Sequence, residues 1–223
     1  MFERYALFYT PTGALARIGA SWLGWDSAAG CPVPHPQVAT VDCAALTATP
    51  RRYGFHGTLK APFHLADDMD LAGLQEAAAG FARHQKTVSA GSLHLSYAKG
   101  FVALRPVQDT VVLCEFAAKT VRTFDAFRAP MTPEEIAARR RARLSPRQET
   151  QMASWGYPYI FDDFHFHLTL TGRLPAKEAD AVITVLAPLL KPVTPQPLMI
   201  DAITLMGADS AGMFHQITRF NTQ

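Results

Sequence analysis

Phe55-His56-Gly57-Thr58-Leu59 recurs further along the chain as Phe166-His167-Leu168-Thr169-Leu170. Each copy is an aromatic residue, a histidine, any residue, a threonine and a leucine. Side chains alternate between the two faces of a strand, so the histidine and threonine of each copy point the same way. The flanking Phe and Leu then point into a core. The pattern predicts two strands that, brought face to face, place two imidazoles and two hydroxyls around one small anion.

The elements that follow each copy are predicted in the same order: a helix, a strand, a hairpin turn and a strand. Helices are expected at 70–84 and 176–191, where apolar residues recur at helical spacing. We therefore predict one α+β domain over residues 1–223 that consists of two pseudo-symmetric lobes, near 1–125 and 126–223. Each lobe is expected to be an antiparallel sheet with helices on its outer face, and the active-site cleft is expected between the lobes.

A lone His-x-Thr pattern carries little information in a chain with eight histidines. His94-Leu95-Ser96 also fits a looser form of it, but it falls in a hairpin strand rather than at the repeated position. Context distinguishes the two copies, since each follows a Phe, precedes a Leu and is followed by a helix. In the second copy one face is wholly apolar, and the other carries His165, His167, Thr169 and Thr171.

Several other residues are weaker candidates for the site. By strand alternation Lys60 shares a face with His56 and Thr58, where it either adds a cation for a phosphate or is a solvated lysine at a strand end. Four tyrosines either pack against a sugar or base or close the cores of the lobes: Tyr5, Tyr9, Tyr157 and Tyr159. The arginine-rich segment 139–143 is either a solvated helix face or a lid that gathers phosphate.

The composition and net charge of the chain limit the kinds of partner that we expect it to bind. The chain has 223 residues, is 48% hydrophobic and carries a net charge of +2, so neither extended nucleic acid nor a membrane surface is expected to bind. No apolar run approaches the roughly 20 residues of a membrane span, and the first residues do not resemble a secretory leader. The three cysteines, Cys31, Cys43 and Cys114, lack metal-ligand spacing. We expect a cytoplasmic monomer with reduced thiols.

The paired motifs resemble those of the 2H phosphoesterase superfamily, which includes RNA 2′,5′-ligase-like proteins and cyclic nucleotide phosphodiesterases. The motif sequences FHGTLKAPF (55–63) and FHFHLTLTG (164–172) most closely resemble those of an uncharacterised bacterial branch associated with phosphonate (C–P lyase) metabolism. The resemblance covers nearly the whole chain, and both copies match at the His and the Thr. It does not extend to the arginine-rich segment.

The resemblance implies a metal-independent cyclic phosphodiesterase without a cofactor, acting on a small phosphorylated substrate such as a ribose or nucleotide cyclic phosphate. His56 and His167 would be the catalytic acid and base, since an imidazole with a pKa near 6.5 can accept or donate a proton near neutral pH. Which of the two is the acid is left open. Thr58 and Thr169 would donate hydrogen bonds to the phosphate oxygens and stabilise the transition state.

Three alternatives remain open at this point. His165 and His167 lie two apart on one face, and with His56 they could ligate zinc, although this leaves both threonines unexplained. A non-catalytic protein could bind a cyclic phosphate in the same cleft, although it would not need two proton carriers. An enzyme that processes RNA 2′,3′-cyclic phosphate ends, or joins ends as a 2′,5′-ligase, would use the same groups, but the chain lacks a long basic track.

Overall fold

One antiparallel sheet of seven strands dominates the computed structural model, which describes residues 2–195 and 197–223. From edge to edge its strands are Phe214–Asn221 (β11), Ala202–Ala208 (β10), Arg4–Tyr9 (β1), Gly57–Phe63 (β4), Leu168–Thr169 (β8), Phe101–Pro106 (β7) and Leu93–Ala98 (β6). Two small two-stranded sheets accompany it, one of Trp25–Asp26 (β2) with Cys31–Pro32 (β3) and one of Val88–Gly91 (β5) with Leu198–Ile200 (β9).

Seven α-helices connect the strands in the part of the chain that the structure describes. They are Gly13–Leu23 (α1), Cys43–Thr47 (α2), Leu71–Arg83 (α3), Val111–Thr123 (α4), Pro133–Arg140 (α5), Pro146–Trp155 (α6) and Ala176–Leu190 (α7). The helix predicted after each motif is present as α3 and as α7. The sequence interpretation missed α6, although Ser145 and Gln148 form a capping box at its start. Among the described residues, no helix has the length and apolarity that crossing a bilayer requires.

The two faces of the main sheet differ. Apolar side chains of α1, α3, α4 and α7 pack on one face and form the main core, in which Leu7, Leu74, Leu113 and Leu186 are fully buried. The opposite face carries only a small apolar cluster around Phe8 and Phe214. Its middle, where β4 meets β8, is left for polar side chains.

The pairing of strands reveals an internal pseudo-twofold axis. Gly57 of β4 lies opposite Leu168 of β8, and these two residues hold the same place in the two motifs, 168 − 57 = 111 positions apart. The same offset of 111 relates Val88 to Met199 and Ser89 to Ile200, and in the structure Val88 lies opposite Ile200 while Ser89 lies opposite Met199. Exchange of the two repeats therefore maps the Gly57–Leu168 pair onto itself and the Val88–Ile200 pair onto the Ser89–Met199 pair. The expected α+β fold with two pseudo-symmetric lobes is confirmed.

The two lobes exchange strands. Beside β8 lie β7 and then β6, whereas beside β4 lie β1 and then β10. β1 thus takes the place next to β4 that β7 takes next to β8, β10 corresponds to β6, and β11 is an additional edge strand. Each half of the sheet draws strands from both halves of the chain. A division of the sequence near residue 125 therefore does not coincide with the division of the sheet.

Candidate active site

The two motifs lie side by side as neighbouring strands of one sheet, rather than on two sheets that face each other as the sequence led us to expect. Because Gly57 is opposite Leu168 in an antiparallel pair, His56 is brought beside Thr169, and Thr58 is brought beside His167. Side chains that are opposite each other in such a pair share a face of the sheet. The four polar residues therefore form one quadrilateral on the open face.

The apolar residues of the motifs anchor this arrangement from below. As expected from the alternation, all of them are buried: Phe55, Leu59, Phe166, Leu168 and Leu170. Gly57 allows the closest approach of the two strands, since a Cβ atom at this position would overlap the ring of Phe166. The pair of motifs is thus joined by a small residue on one strand and a buried aromatic ring from the other.

The His56 ring is held by a hydrogen bond to the backbone of Gly54 and by ring stacking. Its Nδ1 donates to the carbonyl of Gly54 at 3.0 Å, which leaves Nε2 to accept from the Thr58 hydroxyl at 3.1 Å. The ring stacks on Phe8 with centroids 3.8 Å apart. Burial lowers the pKa of His56 to about 4; the Gly54 carbonyl opposes this shift, and His167 adds to it. The imidazole is therefore neutral at pH 7.

His167 repeats the backbone contact. Its Nδ1 donates to the carbonyl of His165, again two residues earlier, at 2.8 Å. Burial is the largest cause that lowers the pKa of His167, and the positive charges of Arg105 and Lys99 lower it further. Both motifs thus fix the same tautomer and leave Nε2 as the atom available for proton transfer.

A cleft runs over the four polar residues as two adjoining cavities, of about 280 Å³ and about 680 Å³. His56 and Thr169 line the smaller cavity, His167 lines the larger one, and Thr58 lines both. The cleft therefore reaches all four candidate residues from one side. Volumes of this order are typical of small-molecule sites.

Cationic side chains surround the cleft, and the sequence interpretation raised such a position only for the arginine-rich segment, as one of two alternatives. Arg139 and Arg173 line the smaller cavity, while Lys99 and Arg105 line the larger one. Arg139, at the end of α5, stands 4.7 Å over the ring of Tyr157. Of the two interpretations of the arginine-rich segment, Arg139 fits a position over the cleft. Its neighbour Arg140 instead forms a surface ion pair with Glu149 at 3.0 Å.

Lys60 does not face the cleft. Phe8 lies opposite Thr58, but the preceding residue Leu7 lies opposite Lys60, so β4 contains one extra residue, a β-bulge. The bulge turns Lys60 onto the helix-covered face, where its Nζ bonds Asp125 Oδ1 at 3.0 Å. The expectation that Lys60 shares the polar face of His56 is wrong, because the alternation of side chains is interrupted between them.

The tyrosines divide between the two interpretations. Tyr5 and Tyr9 are buried in the main core, so the expectation that Tyr5 contacts a substrate is wrong. Their strand β1 directs its odd-numbered residues towards the helices. Tyr157 and Tyr159 pack edge to face, 5.6 Å apart, and both line the larger cavity. These two rings are placed where a sugar or base could pack.

The histidines do not converge on a metal site. His165 points Nδ1 at Asp109 Oδ2, 2.9 Å away, and offers its carbonyl to His167. Within residues 2–195 and 197–223, no three His, Cys, Asp or Glu side chains are grouped as ligands for one metal ion. The alternative of a zinc site formed by His56, His165 and His167 is not supported by this geometry.

Comparison with known proteins identifies relatives of the chain. A family model described as "Protein of unknown function (DUF1045)" matches residues 58–215. A ribose 1,5-bisphosphate phosphokinase PhnN of Janthinobacterium sp. (strain Marseille) is 36% identical over 218 residues, which cover 94% of this chain and 48% of that protein. Its namesake in Laribacter hongkongensis (strain HLHK9) is 35% identical over 177 residues, covering 77% and 40%. The chain spans about half the length, or less, of these curated relatives.

Solved structures with similar overall arrangement are more distant in sequence. Escherichia coli LigT complexed with 3′-AMP is 14% identical with a TM-score of 0.45, and the alignment covers 100% of this chain and 99% of that chain. A structure described as a phosphoesterase is 13% identical with a TM-score of 0.43 and covers 99% of both chains. The chain belongs to the DUF1045 family.

Proposed function

We propose that this chain is a metal-independent phosphodiesterase that hydrolyses a small cyclic or diester phosphate. The observation that carries the proposal is the register of β4 against β8, which sets His56 beside Thr169 and Thr58 beside His167 in one cleft. Two proton carriers and two hydroxyl donors on one face are the groups that in-line attack on a phosphodiester requires. The names and folds of the relatives are compatible with phosphoester chemistry.

The proposed reaction divides its proton transfers between the two imidazoles. One neutral imidazole accepts a proton from the attacking water at Nε2, and the other, protonated, donates to the leaving sugar oxygen. Each such role typically contributes about 10²–10⁴ to the rate. The hydroxyls of Thr58 and Thr169 donate to the non-bridging oxygens as negative charge builds up on them.

The lowered pKa values set a condition on this mechanism. Burial lowers the pKa of both His56 and His167, so both are neutral at pH 7 before a substrate binds. A bound phosphate anion favours the charged form of a neighbouring imidazole and raises its pKa. One proton is therefore taken up with the substrate. Arg139 and Arg173 attract the anion to the cleft.

The proposed substrate is a ribose or nucleotide cyclic phosphate. The resemblance to a phosphonate-associated branch favours a ribose cyclic phosphate, and the curated relatives carry a name that includes ribose 1,5-bisphosphate. We do not extend the kinase part of that name to this chain. It spans about half of those proteins, and its sequence contains no Gly-Lys pair from which a phosphate-binding loop of the GxxxxGK type could be built.

Turnover of a substrate panel tests the proposal. Purified protein is incubated in EDTA with 2′,3′-cyclic nucleotides and ribose cyclic phosphates, alongside His56→Ala, His167→Ala and the exposed control His94→Ala. We expect turnover to survive EDTA and to fall by about 10²–10⁴ in the first two variants only. Activity that needs a metal would contradict the proposal.

Other outcomes of the same panel assign the alternatives. Tight binding of a cyclic phosphate without turnover would show a sensor. Turnover confined to RNA ends, or joining of ends, would show an RNA-processing enzyme. Unchanged activity in both motif variants would mean that the reaction does not use the quadrilateral at all.

A further inference from the structure

The second motif is supported by far less sheet than the first. β8 contains only Leu168 and Thr169, and residues 164–167 lie outside any strand. His167 therefore lies just before the ladder begins. In place of a ladder partner, the amide of Phe166 donates to Asp109 Oδ1 at 3.3 Å. A side chain from the loop between β7 and α4 thus takes over a bond that a strand would otherwise make.

The same carboxylate makes a second contact with this segment. Asp109 Oδ2 accepts from His165 Nδ1 at 2.9 Å, and the carbonyl of His165 accepts from His167 Nδ1 at 2.8 Å. Two hydrogen bonds thus join Asp109 to residues 165 and 166, and a third joins His165 to the ring of His167. Since the last of them sets which nitrogen of His167 carries the proton, the position of the carboxylate bears on the proton-transfer atom.

The first motif has a different support at each of these points. Gly54 holds the place of His165 and adopts a φ of 72°, which orients its carbonyl towards His56 Nδ1. The ring of His56 then stacks on Phe8. The nearest ring to His167 in the described structure, Phe101, is 5.5 Å away and tilted by 53°. His167 thus lacks the close stack that His56 has.

We propose that Asp109 is the positioning residue of the second motif, holding residues 165 and 166 so that His167 keeps its Nδ1 proton and leaves Nε2 free in the cleft. Asp109 itself need not touch the substrate. The effect on catalysis rests on the phosphodiesterase proposed above, whereas the effect on the His167 tautomer does not.

Charge gives the role a distinctive signature. The charged or titratable groups that act on His167 are Arg105 from β7, Lys99 from the β6–β7 turn, Asp109 and the imidazole of His56. Arg105 and Lys99 lower the pKa of His167, and Asp109 raises it. Removal of the Asp109 charge therefore lowers the pKa of His167 further. The limb of a pH–rate profile that reports His167 should move to lower pH, while the limb that reports His56 stays in place.

The experiment compares Asp109→Ala, Asp109→Asn and Asp209→Asn. Asp209 is a matched control away from the cleft, since one of its oxygens accepts from the amide of Met213 at 2.9 Å and the other from His215 at 2.8 Å. We expect Asp109→Ala to lower kcat by about 10–10² with little change in KM, as for a modest misplacement of a catalytic group. Asp109→Asn keeps an acceptor for Phe166 and should recover part of kcat, with the pH limb still shifted. Asp209→Asn should retain kcat.

Nitrogen NMR of the histidine rings separates this proposal from the proposed function. The resonances of His167, assigned with His167→Gln, should show an Nδ1-protonated ring in the original chain and a mixture of tautomers in Asp109→Ala, whether or not any substrate turns over. An unchanged tautomer and an unchanged titration midpoint in both Asp109 variants would overturn the proposal. So would a loss of kcat in Asp109→Asn equal to that in Asp109→Ala without a shifted pH limb, since that is the result of mere destabilisation.

Discussion

The two motifs present the same chemical groups by different structural means. In the first, a seven-residue strand paired on both sides carries Thr58, and His56 stacks on Phe8. In the second, a two-residue strand carries Thr169, and the amide just before His167 donates to a loop carboxylate, Asp109. Duplication thus preserved the imidazole, the hydroxyl and the Nδ1 contact. It did not preserve the scaffold around them, so the two copies agree in the groups they present to the cleft and differ in what holds those groups.

Removal of the two hydroxyls is the strongest test of this chemical equivalence. We expect Thr58→Val and Thr169→Val each to lower kcat by about 10²–10³, the usual loss when one donor to a developing charge is removed. The serine variants keep the hydroxyl and should retain most activity. Steady-state kinetics on the substrate found with the panel would measure this. A large loss in one variant and none in the other would break the equivalence of the motifs.

Acid stability should expose the burial of the first motif. The pKa of His56 is about 4 in the folded chain and 6.5 in the unfolded chain. At a pH between these values, the unfolded chain binds a proton at His56 that the folded chain does not bind. Stability therefore falls as the pH drops from 6.5 to 4, by about 3 kcal/mol in total. Urea unfolding at a series of pH values would measure the slope. His56→Gln should reduce the slope and leave the part that comes from the lowered pKa of His167, whereas His94→Gln should not change it; an equal slope in both variants would contradict the assignment to His56.

The contact that joins the motifs can be broken by a single methyl group. The Cβ of Gly57→Ala would overlap the Phe166 ring, which is 2% exposed and has little room to move. We expect a loss of about 1–3 kcal/mol in the free energy of unfolding, as for other overpacked sites, together with reduced activity. Gly80→Ala on α3 is the control, because its Cβ meets only the end of Arg83 and it should stabilise the helix. Similar thermal midpoints for the two variants would argue against a tight seam.

Lys60 tests where the first motif ends. Lys60→Met should leave kcat unchanged, because the bulge directs this side chain away from the phosphate. The free energy of unfolding should fall by about 1 kcal/mol, since Asp125 loses one partner but keeps Arg128 at 2.9 Å. Activity and urea denaturation of the same preparation would check both parts. A clear rise in KM would place Lys60 at the substrate after all.

The sequence predicted much of this arrangement and failed at identifiable points. The alternation of Phe166, Leu168 and Leu170 correctly predicted which side chains are buried, yet regular strand is confined to Leu168 and Thr169. Which side chains are buried and which residues pair in a ladder are separate properties. Only the first can be predicted from the sequence of a single segment. The bulge before Lys60 depends on pairing with β1, and so it leaves no mark in the local sequence.

The cleft residues supplied from elsewhere were harder to foresee. Asp109 contacts His165 and Phe166, which follow it in the chain by 56 and 57 positions. Arg139 reaches the cleft only because α5 and the following segment fold over it. Neither residue belongs to a repeated pattern. Such contacts are set by tertiary packing, whereas the two histidines and two threonines could be recognised because the chain contains them twice.

The insertion of β1 between β4 and β10 also has a consequence for biosynthesis. Arg4 pairs with Ala208, 208 − 4 = 204 residues later. At about 5–20 residues per second, a ribosome takes roughly 10–40 seconds to make the chain between them. Throughout that interval one edge of a strand whose residues Ala6, Leu7 and Phe8 end up wholly buried has no partner. The nascent chain therefore exposes this strand edge long before its partner is made, and its yield in a cell should depend on how well chaperones shield that edge until β10 emerges.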